Sequence, residues 1–329
     1  MTFLVTAFVG VLALLAQVAR KSRGAEITLI VVLLTLSLLI ATVGSVTGLG
    51  LLRAANGGAP GLGSPSLVAA GGAALLVGII GVGLCVPPLR GVTGERRERK
   101  FWTDPPTFLA LWLFAAVLAN NAVSLLLFVG VPDVSRRFLG ARLSPGAVLI
   151  SELPLLALAL LGVGVGVRRS LRETLDRLGY GPVSPRQLGI VVLFVGAALA
   201  LSTAADALFA ALQPDLYREV GEISNSLFNT RGMSPVAAVL FALLVGVGAG
   251  LGEETLFRGA VQPVLGIVPT SILFASMHVQ YGPSLLLVYL FLLSAGLGLI
   301  RRYVNTTASF LAHAAYNSLG IILTYFFGL

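Results

Sequence analysis

The chain has 329 residues, of which 57% are hydrophobic and only 11% charged, with a mean hydropathy of +0.96. That balance excludes a soluble globular protein, because apolar runs of bilayer-crossing length recur from end to end. The formal charge is +8 and the isoelectric point is near 10.2. The basic residues cluster in short loops between apolar runs, as the positive-inside rule requires, and no basic stripe with interleaved aromatics marks a nucleic-acid partner.

The predicted elements are helices throughout. Continuous apolar runs, not alternating ones, predict an all-α, polytopic transmembrane helical bundle of about ten spans and argue against a β-barrel. The spans fall at roughly 2–19, 26–52, 66–89, 107–131, 145–167, 187–212, 234–258, 269–281, 284–300 and 305–327. The first lacks a basic leader and reads as a retained span. The run 269–281 is too short to cross a full bilayer as a helix. Arg20, Lys21 and Arg23, then Arg90 to Lys100, then Arg168 to Arg186, then Arg301 and Arg302 share one side, which is therefore cytoplasmic. The loop with Arg136, Arg137 and Arg142 dissents.

Residues 1–90 form an appended N-terminal transmembrane module, 91–106 a basic cytoplasmic linker and 107–329 the main membrane domain, whose core is 234–320. The polar connector 168–186 predicts an interfacial amphipathic helix ending near Gly179 and Gly181, before a proline-marked turn. The segment 213–233 reads as a solvated loop. Asn120 and Asn121 read as interhelical hydrogen-bond partners, and Glu152 and Asp206 as residues near the outer interface. Cys85, the only cysteine, permits no intramolecular disulfide and no cysteine-based metal site.

Ionisable groups in hydrocarbon are costly and mark function. The chain has two histidines, His278 and His313, both in apolar stretches, and a carboxylate pair, Glu253–Glu254, just upstream. Adjacent helical residues diverge by about 100°, so the two glutamates cannot both point into one small site without distortion. Arg258 stands four residues after Glu254, the favourable order for an ion pair. Glu254 is thus assigned to Arg258, and Glu253 is left to act as a general base. His278 follows Phe274 by four residues and is placed on the same helical face. His313 and Asn317 also stack at i,i+4 and can present two N–H groups to one developing oxyanion. Before the carboxylates, Gly246, Gly248, Gly250 and Gly252 alternate. They suit close helix packing and also the approach of a substrate backbone.

Glu253-Glu254-x-x-x-Arg258, Phe274-x-x-x-His278 and His313-x-x-x-Asn317 resemble the three-motif pattern of the CPBP intramembrane proteases, the Abi group related to type II CAAX prenyl endopeptidases of the Rce1 kind. The resemblance covers about 234–320 and makes the domain 107–329 CPBP-like. It implies a membrane endopeptidase that hydrolyses membrane-bound or lipidated, CAAX-like peptides in the cytoplasmic half of a bilayer. Glu253 and His278 would activate water, His313 and Asn317 would stabilise the oxyanion, and Glu254 with Arg258 would hold the geometry. The partners implied are membrane lipid and the peptide substrate, the location a prokaryotic cell membrane. The His-Glu-x-x-His pattern is absent. A zinc ion, if bound, would take Glu253, His278 and His313, and the expectation leans to metal-free glutamate chemistry. The competing readings are a proton-coupled transporter, against which no inverted repeat is visible, and a non-catalytic scaffold, which would be expected to have lost a motif position.

Overall fold

Backbone in hydrocarbon has no water to bond, so an apolar run must satisfy its own N–H and C=O groups, and it does so as a helix. The structure is a computed structural model that describes residues 2–56, 65–93, 104–130 and 143–328. The basic residues Arg96, Arg97, Arg99 and Lys100, and the loop with Arg136, Arg137 and Arg142, lie outside them.

The helices, in chain order, are Thr2–Ala19 (α1), Arg23–Asn56 (α2), Pro65–Thr93 (α3), Pro105–Gly130 (α4), Pro145–Val163 (α5), Leu171–Leu178 (α6), Pro185–Leu212 (α7), Pro214–Leu227 (α8) and Pro235–Glu254 (α9). The π-helix Thr255–Val261 continues α9 and leads into Gln262–Leu265 (α10). Ile267–Ser276 (α11), the 3₁₀ turn Val279–Tyr281, Leu286–Tyr303 (α12) and Thr306–Phe327 (α13) follow. Among the described residues, eight helices are long and apolar enough to cross a membrane, and Phe3–Ala19 and Ile267–Ser276 are shorter apolar helices. Together they match the ten apolar segments expected. Large apolar side chains such as Leu193, Val236 and Leu240 face outward, 75%, 70% and 61% exposed.

Proline and serine set the starts. Ser144, Ser184 and Ser234 each accept an N–H from the first turn, and each is followed at once by proline. Gly164, in the left-handed region at φ 89°, ends α5 at Val163, short of the expected 167.

The chain divides into two compact units. One comprises Val11–Arg137 and Ser276–Pro283. Here α2 and α3 pack through small residues. A Cβ on Gly78 would lie 2.5 Å from the Ala41 Cβ, and one on Gly71 would lie 2.6 Å from the Gly48 Cα. Trp112 on α4 donates to Ser37 at 2.9 Å, and Arg20 pairs with Asp104 at 2.6 Å. Asn121 donates to Ser276 at 3.1 Å, the interhelical role expected of it.

The other unit comprises Met1–Gly10, Phe138–Ala275 and Ser284–Leu329. Two corrections arise in it. The expected loop 213–233 contains the helix α8, because Val220 and Ile223 repeat at helical spacing and are buried, and Tyr217 packs edge-on against Phe209. Glu152, expected near the outer interface, has Oε2 buried inside the unit. The amphipathic connector behaves as expected. Ser170 and Glu173 form a reciprocal capping box, and Gly179 closes α6 in the left-handed region.

Candidate active site

The four glycines of α9 turn out to serve two helix contacts. A Cβ on Gly250 would lie 3.2 Å from the Ala314 backbone nitrogen and from Phe310, and Gly246 abuts Ala314 and Ser318, all on α13. Gly248 and Gly252 face Val148 and Glu152 on α5. Both glycine faces are therefore covered by the protein's own helices, which removes the substrate-approach alternative. Missing side chains let α13 come close enough for His313 to reach the carboxylates.

After Glu254 the helix widens into the π-form, a local departure common at functional sites. Arg258 sits in this segment and is fully buried with Glu254, Nε to Oε2 at 3.2 Å. Arg258 also donates to Ser294 at 3.1 Å, and its guanidinium lies 5.4 Å above the Phe274 ring. Glu254 gains two further partners from α13, the Ser309 hydroxyl and His313 Nδ1, the latter at 2.9 Å. The predicted Glu254–Arg258 pair is thus the centre of a larger network. Ser309 and His313 donate to one carboxylate and the Arg258 charge pairs with it, which together offset its removal from water.

With Nδ1–H given to Glu254, the other ring nitrogen of His313 faces Glu253. Nε2 lies 3.8 Å from Glu253 Oε2, outside direct hydrogen-bond range. The Glu253 side chain keeps 19% of its surface accessible, whereas that of Glu254 has none. The two adjacent glutamates therefore diverge as the 100° rotation requires. Phe274 backs the cluster, its ring 5.2 Å from Phe257 and 6.0 Å from His313.

Glu253, Glu254, Arg258 and His313 come together in one unit, and Asn317 follows His313 by one turn of α13. His278 belongs to the other unit. It does not share a helical face with Phe274 as expected, because α11 ends at Ser276 and His278 precedes the 3₁₀ turn. Its ring stacks on Tyr281 at 6.0 Å and 5°. Gly282, at φ 56° ahead of Pro283, closes that 3₁₀ turn.

Sequence reasoning missed Ser309, Ser294 and Tyr180, and placed Glu152 elsewhere. The first had a readable signal, since Ser309, His313 and Asn317 repeat every four residues. Tyr180 and Thr255 share a hydrogen bond at 2.5 Å. Burial, with help from the Glu254 carboxylate, pushes the Tyr180 phenol above its ordinary range despite that bond. The connector is also tied to the start of α13. Gly179 O accepts from Thr306 N at 2.8 Å, and Pro182 O accepts from Asn305 at 2.8 Å.

A metal held by Glu253, His278 and His313 was one alternative. Among the described residues no three His, Cys, Asp or Glu side chains are grouped to hold an ion, and His313 Nδ1 is committed to Glu254.

No curated protein and no solved structure matches the chain. A family model does: residues 235–319 match the family described as type II CAAX prenyl endopeptidase Rce1-like. The match starts at the first residue of α9 and takes in all three motifs and the buried network. Over residues 235–319 the chain is similar to the Rce1-like family of type II CAAX prenyl endopeptidases, consistent with the CPBP-like motifs.

Proposed function

We propose that this protein is an intramembrane endopeptidase that hydrolyses membrane-associated or lipidated, CAAX-like peptides, with its site in the cytoplasmic half of the bilayer. The observation that carries this reading is the division of labour between the two glutamates. Glu254 is saturated by donors, while Glu253 faces His313 Nε2 at 3.8 Å and keeps accessible surface.

Glu253 takes a proton from water, and the resulting hydroxide attacks the scissile carbonyl. The oxyanion accepts from His313 Nε2–H and from the amide of Asn317. Glu254, behind Nδ1, offsets the charge that an Nε2 proton brings to the ring. Glu253 then returns its proton to the leaving amine. Glu254, Arg258 and Ser309 fix the imidazole. The assignment of His278 to water activation rests on the three-motif resemblance. Placement towards the cytoplasm rests on the basic loops.

The test is cleavage of a quenched, lipidated CAAX-type peptide by purified protein in detergent, with and without a zinc chelator. Glu253→Gln and His278→Ala should each lower turnover by about 100-fold or more with folding intact. Full activity in Glu253→Gln would sink the reading, and chelator sensitivity would bring metal chemistry back.

A further inference from the structure

The mechanism above gives Glu152 no task, yet its placement is specific. Helix α5 lays Val148 and Glu152, one turn apart, along the Gly248–Gly252 face of α9. A Cβ on Gly252 would lie 3.0 Å from the Glu152 Cβ and 3.2 Å from its backbone oxygen, and would strike Oε2. The carboxyl therefore rests on the backbone of the residue just before Glu253. Oε1 has the Ser151 hydroxyl at 3.4 Å. Oε2 is buried with no hydrogen-bond partner in the protein. Glu253 and His313, the pair assigned to water and oxyanion, lie within electrostatic reach of Glu152.

Buried carboxyl oxygens are seldom left unpaired without a reason. An attacking water has two O–H bonds. One proton goes to Glu253, and the other needs an acceptor if the oxygen lone pair is to point at the carbonyl.

We infer that Glu152 is a positioning residue of this site, its Oε2 accepting the second O–H of the water that Glu253 deprotonates. The inference rests on the peptidase reading. It also accounts for glycine at 252, where any side chain would displace the carboxyl.

The alternative is a polar helix contact with packing value alone. Glu152→Leu separates the two, because leucine fills similar space and removes the orphan oxygen. Cleavage kinetics and thermal unfolding are measured in detergent for wild type, Glu152→Leu, Glu152→Gln and Glu253→Gln. The expected result for Glu152→Leu is an unfolding temperature equal to or above wild type, with kcat down about 100-fold and KM within about twofold. Glu152→Gln, which keeps an acceptor oxygen, should recover kcat to within about tenfold of wild type. Wild-type kcat in Glu152→Leu, or a fall in kcat matched by lost thermal stability, overturns the inference while leaving the peptidase reading intact. A wild type that cleaves no better than Glu253→Gln overturns both.

Discussion

His313 Nδ1 lies 2.9 Å from Glu254 Oε1, a buried contact between residues 59 apart in the chain. It sets which ring nitrogen faces Glu253, and so decides what His313 can do. Everything that holds Glu254 in place therefore acts on the chemistry at one remove.

Removing that carboxylate should be costly. Glu254→Gln leaves buried Arg258 without its counter-charge, and breaking a buried pair this way costs about 3–5 kcal/mol. Arg258→Leu should cost a similar amount. The double variant should be more stable than either single one, since no lone charge remains, yet it should stay inactive. Thermal unfolding of the three proteins in detergent checks the order. Additive losses would mean the pair is not coupled.

Ser309 offers a milder probe. Its hydroxyl contacts both Glu254 and the Leu297 carbonyl, the latter at 3.1 Å, and it has one proton to give. The charged acceptor wins, so Ser309→Ala should cost about 1.5–3 kcal/mol, the range for hydrogen bonds to ions. Turnover should fall more than KM changes, because only the imidazole's support has weakened.

The glycines should not be equivalent. Gly246→Ala drives a Cβ against the Ser318 hydroxyl and backbone of α13, where helix cannot yield cheaply, and overpacking of this kind costs about 1–3 kcal/mol. A Cβ on Gly196 in α7 meets nothing within 4 Å. Gly196→Ala should therefore be neutral or stabilise by about 0.4–1 kcal/mol. Equal effects at the two positions would contradict the packing described.

The connector helix should carry a local pH dependence. The Ser170 backbone N–H and hydroxyl hold the Glu173 carboxyl below its ordinary range. A folded value below the unfolded one gives stability that is complete above about pH 5 and is lost as pH falls through the depressed folded value. Amide exchange across α6 should accelerate on acidification in the wild type. Glu173→Gln, which caps without ionising, should show no such step.

Local physics in the sequence alone already determined the helical, membrane-spanning class, the amphipathic connector with its Gly179 stop and the Glu254–Arg258 pair. Each depends on residues within a turn or two of one another, where 3.6-residue geometry and capping chemistry are sufficient. The tertiary structure decided the rest. Which glycine face meets which helix, that Ser309 and His313 converge on Glu254, and that Glu152 lies against Gly252 all depend on how α5, α9 and α13 pack. A lone glutamate in an apolar run looks the same in sequence whether it ends at an interface or against a buried backbone. Only the neighbour that covers it tells the two apart. The sequence likewise could not show that α11 stops at Ser276, because no glycine or proline stands between Phe274 and His278 to mark the end.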